Sequence, residues 1–335
     1  MNMLRSLLRR RSTILLAPLL ALVLVAPSTA QKAQVHGYWF MTGISDSREE
    51  MFGNSLWKQL HTKVSRLVTP YDVAVRPYDL HQATTWIHDA EANHQKILVA
   101  FYHSEYIKMH LPSVAAYKKD VAKFIKLFPH IREYQAWDEA NRGYVSDGSA
   151  SFVSPSATLD AQYYQALKRD CARCTVVGLD VLDNQVIGPT VQYIDEFKRE
   201  VGRLKTVMPH VWGLHDYSDL NHFESWRTHD LAADLGGEVW LTETGGIVKF
   251  TGDSALLNRN GAGLRRAARV LKYMFGVAAS TPRVKRVYIY NWVGGTASTR
   301  FDAGLMNARF KPRPGYVVVC KELRAAHCNV KTVNN

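Results

Sequence analysis

Long apolar runs are nearly absent from this 335-residue sequence, and the one from Ile14 to Val25 is short for a bilayer span. Four arginines precede this run, and Pro27 and the small residues Ser28-Thr29-Ala30 follow it. A basic segment, a short apolar run and small residues in this order predict a signal peptide over residues 1–30, cleaved before Gln31. A retained N-terminal anchor is the weaker alternative. We therefore expect a secreted, periplasmic or cell-envelope protein that keeps no membrane contact after cleavage.

Motifs of nucleic-acid-binding proteins are also missing. The formal charge is +12, and removing residues 1–30 takes away four arginines and no acids, which leaves +8. No Lys/Arg run with interleaved aromatic residues, and no helix-turn-helix or zinc-finger spacing, accompanies this charge. A solvated basic surface fits the composition better than a nucleic-acid partner. Such a surface is compatible with an acidic polysaccharide or an anionic cell-wall polymer.

A glycine-rich phosphate loop does not follow the first predicted strand. The segment from Phe40 to Asp46 contains Gly43 but lacks the second and third glycines of a dinucleotide-binding loop. This argues against nucleotide binding, and we expect no cofactor. The chain has no low-complexity linker, block of like charges or break in composition, so residues 31–335 are predicted to form one domain with a short polar tail after Cys328. We expect a monomer.

Cysteines are few, at positions 171, 174, 320 and 328. In an exported protein, an even number of cysteines at short spacings predicts disulfides, most simply Cys171 with Cys174 and Cys320 with Cys328. A Cys-x-x-Cys pair is also compatible with zinc binding or redox chemistry. Against that alternative, a second such pair is missing and Cys171 closes a predicted helix instead of opening one. No metal is expected.

The rest of the chain alternates between strand-like and helix-like segments. Eight apolar runs predict strands at Val35 to Thr42, Ser65 to Thr69, Ile97 to His103, Ile131 to Trp137, Thr175 to Leu182, His210 to Tyr217, Glu238 to Thr242 and Arg286 to Trp292. The stretches between and after them predict helices at Ser47 to His61, His81 to Asn93, Pro112 to Phe128, Leu159 to Asp170, Pro189 to Leu204, His222 to Leu235, Ser254 to Ala278 and from about Tyr316. Strand-helix units repeated eight times predict a (β/α)8 TIM barrel, and nearly continuous apolar strands fit burial on both faces. An open, doubly wound sheet is the alternative.

Two of these strands end at carboxylates. The segment from Tyr134 to Asn141 runs into the adjacent acids Asp138 and Glu139, and the segment from Glu238 reaches Glu243 just before a pair of glycines. Because the active site of such a barrel forms at the C-terminal ends of its strands, these acids are expected to face one cleft.

Other polar and aromatic side chains are predicted at the same rim. Taken singly, each has a structural explanation: a histidine near a strand end is usually hydrogen-bonded within the fold, Tyr217 and Trp292 can cover the barrel core, and Asp180 and Asp216 can cap helices. Their convergence favours a functional site, because such groups are costly unless they are satisfied or used. A metal-dependent hydrolase is one alternative, with His103, Asp180, His215 and Asp216 as its candidate ligands.

These motifs resemble clan A of the glycoside hydrolases, the retaining (β/α)8 enzymes. The resemblance is carried by Trp-Asp-Glu-Ala-Asn after the fourth strand, Glu243 after the seventh, His-x-Tyr at the sixth and Trp292 after the eighth. It implies that Glu139 is the general acid/base and Glu243 the nucleophile. It also implies that His103, His215 and Tyr217 line the subsite of the reacting sugar, with Trp292 as the aromatic platform beneath it. Asn141 and Tyr71 are further candidate substrate-binding residues.

Two positions depart from the pattern of the clan. Asp138 stands where the clan usually has an asparagine that bonds the sugar 2-hydroxyl, and a carboxylate cannot donate a hydrogen bond unless it is protonated. An arginine that part of the clan carries near the end of the second strand has no clear counterpart, since Arg76 lies several residues too late.

The resemblance implies an exported hydrolase of O-glycosidic bonds that acts on a polysaccharide or oligosaccharide by double displacement. In that reaction Glu139 needs a raised pKa, for which Trp137, a dry cleft and ionised Glu243 are the expected causes. Tyr217 is expected to donate a hydrogen bond to Glu243. A carbohydrate-binding barrel without catalysis is the main alternative, because of Asp138 and the missing arginine.

Overall fold

A computed structural model describes residues 37–107, 109–146, 151–251 and 263–333. Its strands are β1 (Met41–Ser45), β2 (Val64–Pro70), β3 (Lys96–Tyr102), β4 (Glu133–Gln135), β5 (Tyr144–Ser146), β6 (Ser151–Val153), β7 (Thr175–Val177), β8 (Asp180–Leu182), β9 (Val211–His215), β10 (Glu238–Thr244), β11 (Lys249–Phe250), β12 (Val284–Tyr290) and β13 (Phe301–Asp302). Its helices are α1 (Glu50–Gly53), α2 (Ser55–Gln59), α3 (Pro77–Ala92), α4 (Val114–Leu127), α5 (Ala157–Asp170), α6 (Gly188–Arg203), α7 (Tyr217–His222), α8 (Trp226–Leu235), α9 (Leu264–Ser280) and α10 (Pro314–Glu322). The predicted signal peptide and the first nine residues of the helix predicted at Ser254 to Ala278 lie outside the described residues.

Nine parallel strands form one sheet in the order β7-β4-β3-β2-β1-β12-β10-β9-β8. The strands β7 and β8 are the two halves of one predicted strand, and only Gly178 and Leu179 separate them. Both linking residues still bond to β9: the Gly178 N–H donates to the Val211 carbonyl at 2.9 Å, and the Gly213 N–H donates to the Leu179 carbonyl at 2.7 Å. The sheet therefore closes around this divided strand, which confirms the predicted (β/α)8 barrel.

The interior of the barrel is crowded where polar side chains enter it. A Cβ atom at Gly213 would lie 2.6 Å from Asp180 Oδ1 and 2.8 Å from Gln135 Nε2. Only a residue without a side chain leaves room for both groups, so Gly213 allows polar atoms to occupy the centre of the sheet.

The helices pack their apolar faces against the outside of the sheet. Trp86 of α3, Phe124 of α4 and Phe275 of α9 are at most 1% exposed. Serine side chains cap two of the helices: Ser113 accepts from the Ala116 N–H and Ser156 from the Leu159 N–H, both at 3.2 Å. These caps satisfy N–H groups that the first turn of a helix leaves unpaired.

Three predicted elements differ from the observed ones. The first strand starts at Met41, since Tyr38 and Phe40 stack on Phe275 of α9 instead of pairing in the sheet. The helix predicted at Ser47 to His61 is divided into α1 and α2, because the Asn54 side chain accepts from the Leu56 N–H at 2.9 Å and starts a new helix. The helix predicted from His222 to Leu235 is divided into α7 and α8, with the left-handed residue Phe223 between them.

Two disulfides join Cys171 to Cys174 and Cys320 to Cys328, which is the predicted pairing. Cys171 is the residue at which α5 ends. Such bonds are typical of proteins in oxidising compartments. In the part of the chain that the structure describes, no helix combines the length and the apolar character needed to cross a membrane.

Candidate active site

Glu139 and Glu243 lie at the same end of the barrel. Glu139 follows β4 and Glu243 is near the end of β10. The His215 Nδ1 atom is 3.4 Å from Glu139 Oε1 and 3.9 Å from Glu243 Oε2. One imidazole nitrogen therefore faces both carboxylates. The two distances place Glu139 Oε1 and Glu243 Oε2 at most about 7 Å apart. This upper limit is compatible with the carboxyl spacing of a retaining glycosidase and with that of an inverting one.

The backbone at Glu139 has the left-handed conformation, with φ of 46°. Non-glycine residues are strained in this region, and such strain is concentrated at functional sites. The Glu139 carbonyl accepts from Ser154 Oγ at 3.2 Å, and the N–H of Ala140 donates to the Asp180 carbonyl at 2.8 Å. These two contacts hold the turn that directs the Glu139 side chain into the cleft.

Arg66, in the middle of β2, is a site residue that the sequence pattern did not identify. The side chain is fully buried. Its Nη1 donates to Glu243 Oε1 at 2.7 Å, and its Nη2 donates to Asp180 Oδ2 at 2.7 Å and also to Asp138 Oδ1. An arginine from within the second strand therefore reaches the acids from inside the barrel, although no clear counterpart was expected for the arginine near the end of that strand. A lone charge in an otherwise apolar strand was the available signal, because arginine is rarely buried unless it is paired.

His215 links the acids at the rim to Asp180 on β8. Its Nε2 lies 3.1 Å from Asp180 Oδ2, and Asp180 also accepts from the Thr242 hydroxyl. Burial opposes the ionisation of both groups, but their mutual attraction and the charge of Arg66 keep the pKa of Asp180 below its usual range. Burial would lower the pKa of His215, yet Asp180 and Glu243 raise it well above the usual value. The carboxylates beside both ring nitrogens therefore favour the protonated imidazole.

The carboxylates of this cluster differ in their pKa values. Burial raises the pKa of Asp138 well above its usual range, against the charge of Arg66, and it also raises that of Glu243, against His215 and Arg66. Burial would raise the pKa of Glu139 too, but Arg142 and His215 more than offset it and lower the pKa to about 2. Glu139 pairs with Arg142 Nη1 at 2.6 Å. The predicted rise in the pKa of Glu139 is therefore wrong for this state of the protein.

The cluster contains more carboxyl groups than cationic side chains. Four carboxyl groups face three cationic side chains: Asp138, Glu139, Asp180 and Glu243 against Arg66, Arg142 and protonated His215. A single proton on the carboxyl groups makes the cluster neutral. Because burial raises the pKa of Asp138 and that of Glu243, these two are the carboxyl groups of the cluster that most readily take up a proton. A protonated Asp138 is a hydrogen-bond donor, as an asparagine at this position would be.

Aromatic side chains line the cleft above the acids. The volume of this cleft is about 810 Å³. The Tyr217 hydroxyl donates to Glu243 Oε2 at 3.3 Å, which is the contact expected from the sequence. Tyr290, at the end of β12, and Phe250 and Phe301, which face each other across the β11–β13 ribbon, complete one wall. Tyr217, Tyr290 and Phe250 each lie within 6 Å of the Phe301 ring, centroid to centroid.

Two aromatic residues predicted to bind substrate, the platform Trp292 and Tyr71, do not line this cleft. Trp292 lies after the end of β12 at Tyr290, is fully buried and packs against Tyr316 of α10 with 5.9 Å between the ring centroids. Tyr71 is 5% exposed and packs against Trp137 and Tyr117. The aromatic residue at the end of the eighth strand is therefore Tyr290, which the sequence analysis missed because Trp292 was counted as the last strand residue.

Asn141 and His103, which were predicted to bind substrate, make contacts within the fold. Asn141 bridges the loop to β8, since its Oδ1 accepts from the Leu182 N–H at 2.8 Å and its Nδ2 donates to Thr190 Oγ1 at 3.0 Å. The ring of His103 lies against Tyr102 and its Nδ1 is 3.3 Å from the Ser104 carbonyl. Among the described residues that line the cleft, neither Asn141 nor His103 appears.

Asp138, His215 and Glu243 also form the donor set of a candidate metal site, with ligand atoms within 4.8 Å of one another. The guanidinium of Arg66 already donates to both carboxylates. These acids thus face a cation supplied by the protein itself. The predicted metal ligands His103 and Asp216 are not part of this group.

Comparison with solved structures identifies the class of the fold. Xylanase 10B of Thermotoga petrophila RKU-1, solved with xylobiose, has a TM-score of 0.59 at 14% identity and covers 88% of this chain and 98% of its own. A family 39 glycoside hydrolase of Bacteroides cellulosilyticus WH2 has a TM-score of 0.55 at 14% identity, with 87% of this chain and 64% of its own covered. The GH5_18 enzyme of Streptomyces cattleya, solved with GlcNAc, has a TM-score of 0.58 at 11% identity, with 88% and 82% covered.

These structures are clan A glycoside hydrolases with (β/α)8 barrels, so the resemblance in fold is confirmed. No protein-family model matches the sequence, and no curated protein matches it. At 11–14% identity the structural similarity establishes the fold alone, and the chemistry has to be argued from the residues of the site.

Proposed function

We propose that this protein is a glycoside hydrolase that cleaves O-glycosidic bonds of a polysaccharide or oligosaccharide by double displacement. The observation that carries the proposal is the pair of acids at one rim, Glu139 and Glu243, with His215 between them. Glycoside hydrolysis needs one carboxylic acid and one carboxylate on either side of the anomeric carbon. The clan A barrel fold supports the same reaction class.

Glu243 is the proposed nucleophile. Arg66 and Tyr217 donate to its two oxygens, which orients the carboxylate and favours its ionised form during the reaction. One oxygen of Glu243 attacks the anomeric carbon while the bond to the leaving oxygen breaks. Glu139 then supplies a proton to that oxygen, and later accepts a proton from the water that displaces Glu243.

The pKa of about 2 at Glu139 has to rise for this proton transfer. Arg142 is the group that a substrate can displace, because its side chain is 37% exposed and it lines the cleft. Burial is the largest influence on the pKa of Glu139, and Arg142 is the strongest of the groups that oppose it, so displacement of Arg142 lets the pKa rise against the remaining effect of His215. A sugar that enters the cleft thus converts a paired carboxylate into a general acid, and the proton shared by Asp138 and Glu243 is the nearest source.

The substrate class follows from the cleft. Aromatic rings beside hydrogen-bonding acids suit sugar rings, whose C–H faces are apolar and whose edges carry hydroxyl groups. The xylobiose and GlcNAc complexes of the fold neighbours support a carbohydrate ligand. Two disulfides and the predicted signal peptide support an extracellular or periplasmic location. The proposed functional form is a single domain over residues 31–335, acting as a monomer.

The test is the release of reducing ends by the mature protein from plant, fungal and bacterial-wall polysaccharides. Glu243→Gln removes the nucleophile without changing the size of the side chain and is expected to abolish release while the circular dichroism spectrum stays that of the folded wild type. The control is Glu224→Gln, which changes a half-exposed glutamate outside the cleft and should retain full activity.

A carbohydrate-binding barrel without catalysis is the second candidate, favoured by the Arg142 ion pair that keeps Glu139 deprotonated. Retention of one polymer by both wild type and Glu243→Gln, with no reducing ends from either, would replace the enzymatic proposal with this one.

A further inference from the structure

A second cavity adjoins the cleft. Its volume is about 430 Å³, and it shares Ser47, Val68 and Glu105 with the cleft as lining residues. Because these three residues line both cavities, the cavities lie side by side, with the second one over the ends of β2 and β3, and the two together are called the groove.

Two exposed tyrosines line the far part of this groove. Tyr78 is 65% exposed and Tyr106 is 55% exposed. Single exposed apolar side chains are ordinary, but two aromatic rings in a cavity that continues the cleft form a binding surface. Aromatic rings with open faces are suited to stacking on the C–H faces of sugars.

Both rings are held in place before any ligand arrives. Gln82 Nε2 donates to the Tyr78 hydroxyl at 3.0 Å. The guanidinium carbon of Arg76 lies 4.5 Å from the centre of the Tyr106 ring, and Arg76 Nε is anchored to Asp72 Oδ2 at 2.7 Å. Side chains that are already ordered lose little conformational entropy on binding, so these contacts preorganise the groove.

Polar groups between the tyrosines indicate what kind of sugar fits. The Oδ2 atom of Asp79, which lines this cavity, is buried and has no hydrogen-bond partner among the described residues. A sugar hydroxyl can supply the missing donor once the Asp79 side chain rotates towards the cavity. Asp79 and Glu105 also make the groove acidic, which disfavours a uronic acid or another anionic sugar through like-charge repulsion.

We propose that this groove binds further uncharged sugar units of the polymer whose glycosidic bond is cleaved at Glu139 and Glu243, so that the substrate is a chain of several units. The inference rests on the proposed function for the reaction and on Tyr78, Tyr106 and Asp79 for the chain length. The groove gives a polymer contacts that a single glycoside does not reach. Its contribution therefore appears in kcat/KM for long substrates alone.

The experiment compares the wild type with the double variant Tyr78→Ala/Tyr106→Ala on xylan, β-mannan and β-1,3-glucan, each beside the 4-nitrophenyl β-glycoside of its sugar. We expect kcat/KM on the hydrolysed polymer to fall at least about tenfold in the double variant while kcat/KM on the small glycoside is unchanged. The matched control is Trp226→Ala. Trp226 is 45% exposed, the guanidinium carbon of Arg227 lies 4.4 Å from the centre of its ring, and it lines neither cavity.

Equal polymer hydrolysis by wild type and double variant overturns the inference, and so does a parallel loss on polymer and small glycoside. If the wild type hydrolyses nothing, affinity electrophoresis through gels containing the same polymers replaces the kinetic measurement. Retardation that the double variant loses and Trp226→Ala keeps supports the groove while the proposed function fails. Absent or equal retardation overturns the groove as well.

Discussion

The two ends of the barrel interior both contain buried charges, but they balance them differently. Near the N-terminal ends of the strands, Arg286 makes a two-pronged contact with Glu133 at 2.5 and 2.8 Å, and its guanidinium carbon lies 3.7 Å from the centre of the Trp240 ring. Near the C-terminal ends, Arg66 is shared among three carboxylates. At one end a single carboxylate, Glu133, is paired with Arg286 and Lys96, whereas the other end is a cluster in which carboxyl groups outnumber cations.

The surroundings of the two ends explain the difference. The Arg286–Glu133 pair lies beside an apolar layer formed by Val64, Leu98, Val177, Val211, Trp240 and Tyr288. The Arg66 cluster opens into the cleft through Asp138, Glu139 and Glu243. Closed pairs stabilise or specify a fold, whereas clusters with shifted pKa values in a cleft are candidates for catalysis. Charge imbalance and access together distinguish the functional end of this barrel.

The largest effect is expected when Arg66, the cation shared by three carboxylates, is replaced. Arg66→Met leaves Asp138, Asp180 and Glu243 without their arginine, so we expect a loss of about 3–5 kcal/mol in the free energy of unfolding and the loss of all measurable hydrolysis. Urea denaturation and reducing-end release measure the two effects. Activity within tenfold of the wild type would show that Glu243 does not depend on Arg66.

The same substitution at the other end separates stability from function. Arg286→Met leaves Glu133 buried beside Lys96, and the expected loss in the free energy of unfolding is again about 3–5 kcal/mol. Activity per folded molecule should stay at the wild-type level, because Arg286 touches none of the acids at the rim. A loss of turnover in the folded fraction would contradict the division into a structural and a functional end.

A smaller effect is expected from the exposed cation of the cluster. Arg142→Gln removes a charge that lowers the pKa of Glu139, so the alkaline limb of the pH profile of kcat/KM should move to higher pH. An alkaline limb that stays in place would show that Glu139 is not the acid. Arg142→Lys, which keeps the charge, is the control.

The Arg142→Gln variant should also differ from the wild type in how its stability depends on pH. The folded pKa of Glu139, about 2, lies below its ordinary value of 4.5, so its ionisation stabilises the wild type above pH 4.5, and this contribution is lost as the pH falls towards 2. Melting temperatures of Arg142→Gln should therefore fall less steeply over this interval than those of the wild type and of Arg142→Lys.

Asp138→Asn should change activity least among the substitutions within the cluster. Burial keeps the pKa of Asp138 high, so the protonated acid and the amide offer the same donor, and turnover at neutral pH is expected to stay within about threefold of the wild type. The variant should keep its activity at higher pH, where wild-type Asp138 ionises. A loss of a hundredfold would mean that Asp138 acts as a carboxylate.

Removal of metal ions is expected to have no effect. Asp138 and Glu243 accept hydrogen bonds from Arg66, so the charge of these acids is already compensated. Hydrolysis should be unchanged after dialysis against EDTA, with re-addition of zinc or calcium as the control. Loss on chelation and recovery with one ion would assign the Asp138–His215–Glu243 group to a metal.

The architecture could be predicted from the sequence because it depends on local periodicity. Each apolar run is long enough to mark a strand and each intervening stretch long enough to mark a helix, and eight such units close into a barrel. The positions of Glu139 and Glu243 followed from the same pattern, since both stand where an apolar run stops. The boundary at Trp292 failed because an aromatic residue continues an apolar run equally well inside a strand and just after it.

Other parts of the site depend on which atoms meet across the barrel. Arg66 lies 72 residues from Asp138 and 177 from Glu243 in the chain, and no local pattern connects them. Tyr71 has the composition of a platform, but its ring packs against Tyr117 and Trp137. The low pKa of Glu139 depends on the 2.6 Å contact with Arg142 and on the nearby charge of His215. Neither of these spatial relations can be read from the sequence.

The sequence by itself determined the order of strands and helices, the pairing of the four cysteines and the two acids at the strand ends, because these follow from short-range patterns and spacing. Tertiary structure decided which cation neutralises the acids, which tyrosine lines the cleft and where the groove continues. Closing the barrel brings residues from β2, β8, β9, β10 and the loop after β4 within a few ångströms, and electrostatic interactions depend on that separation rather than on position in the chain.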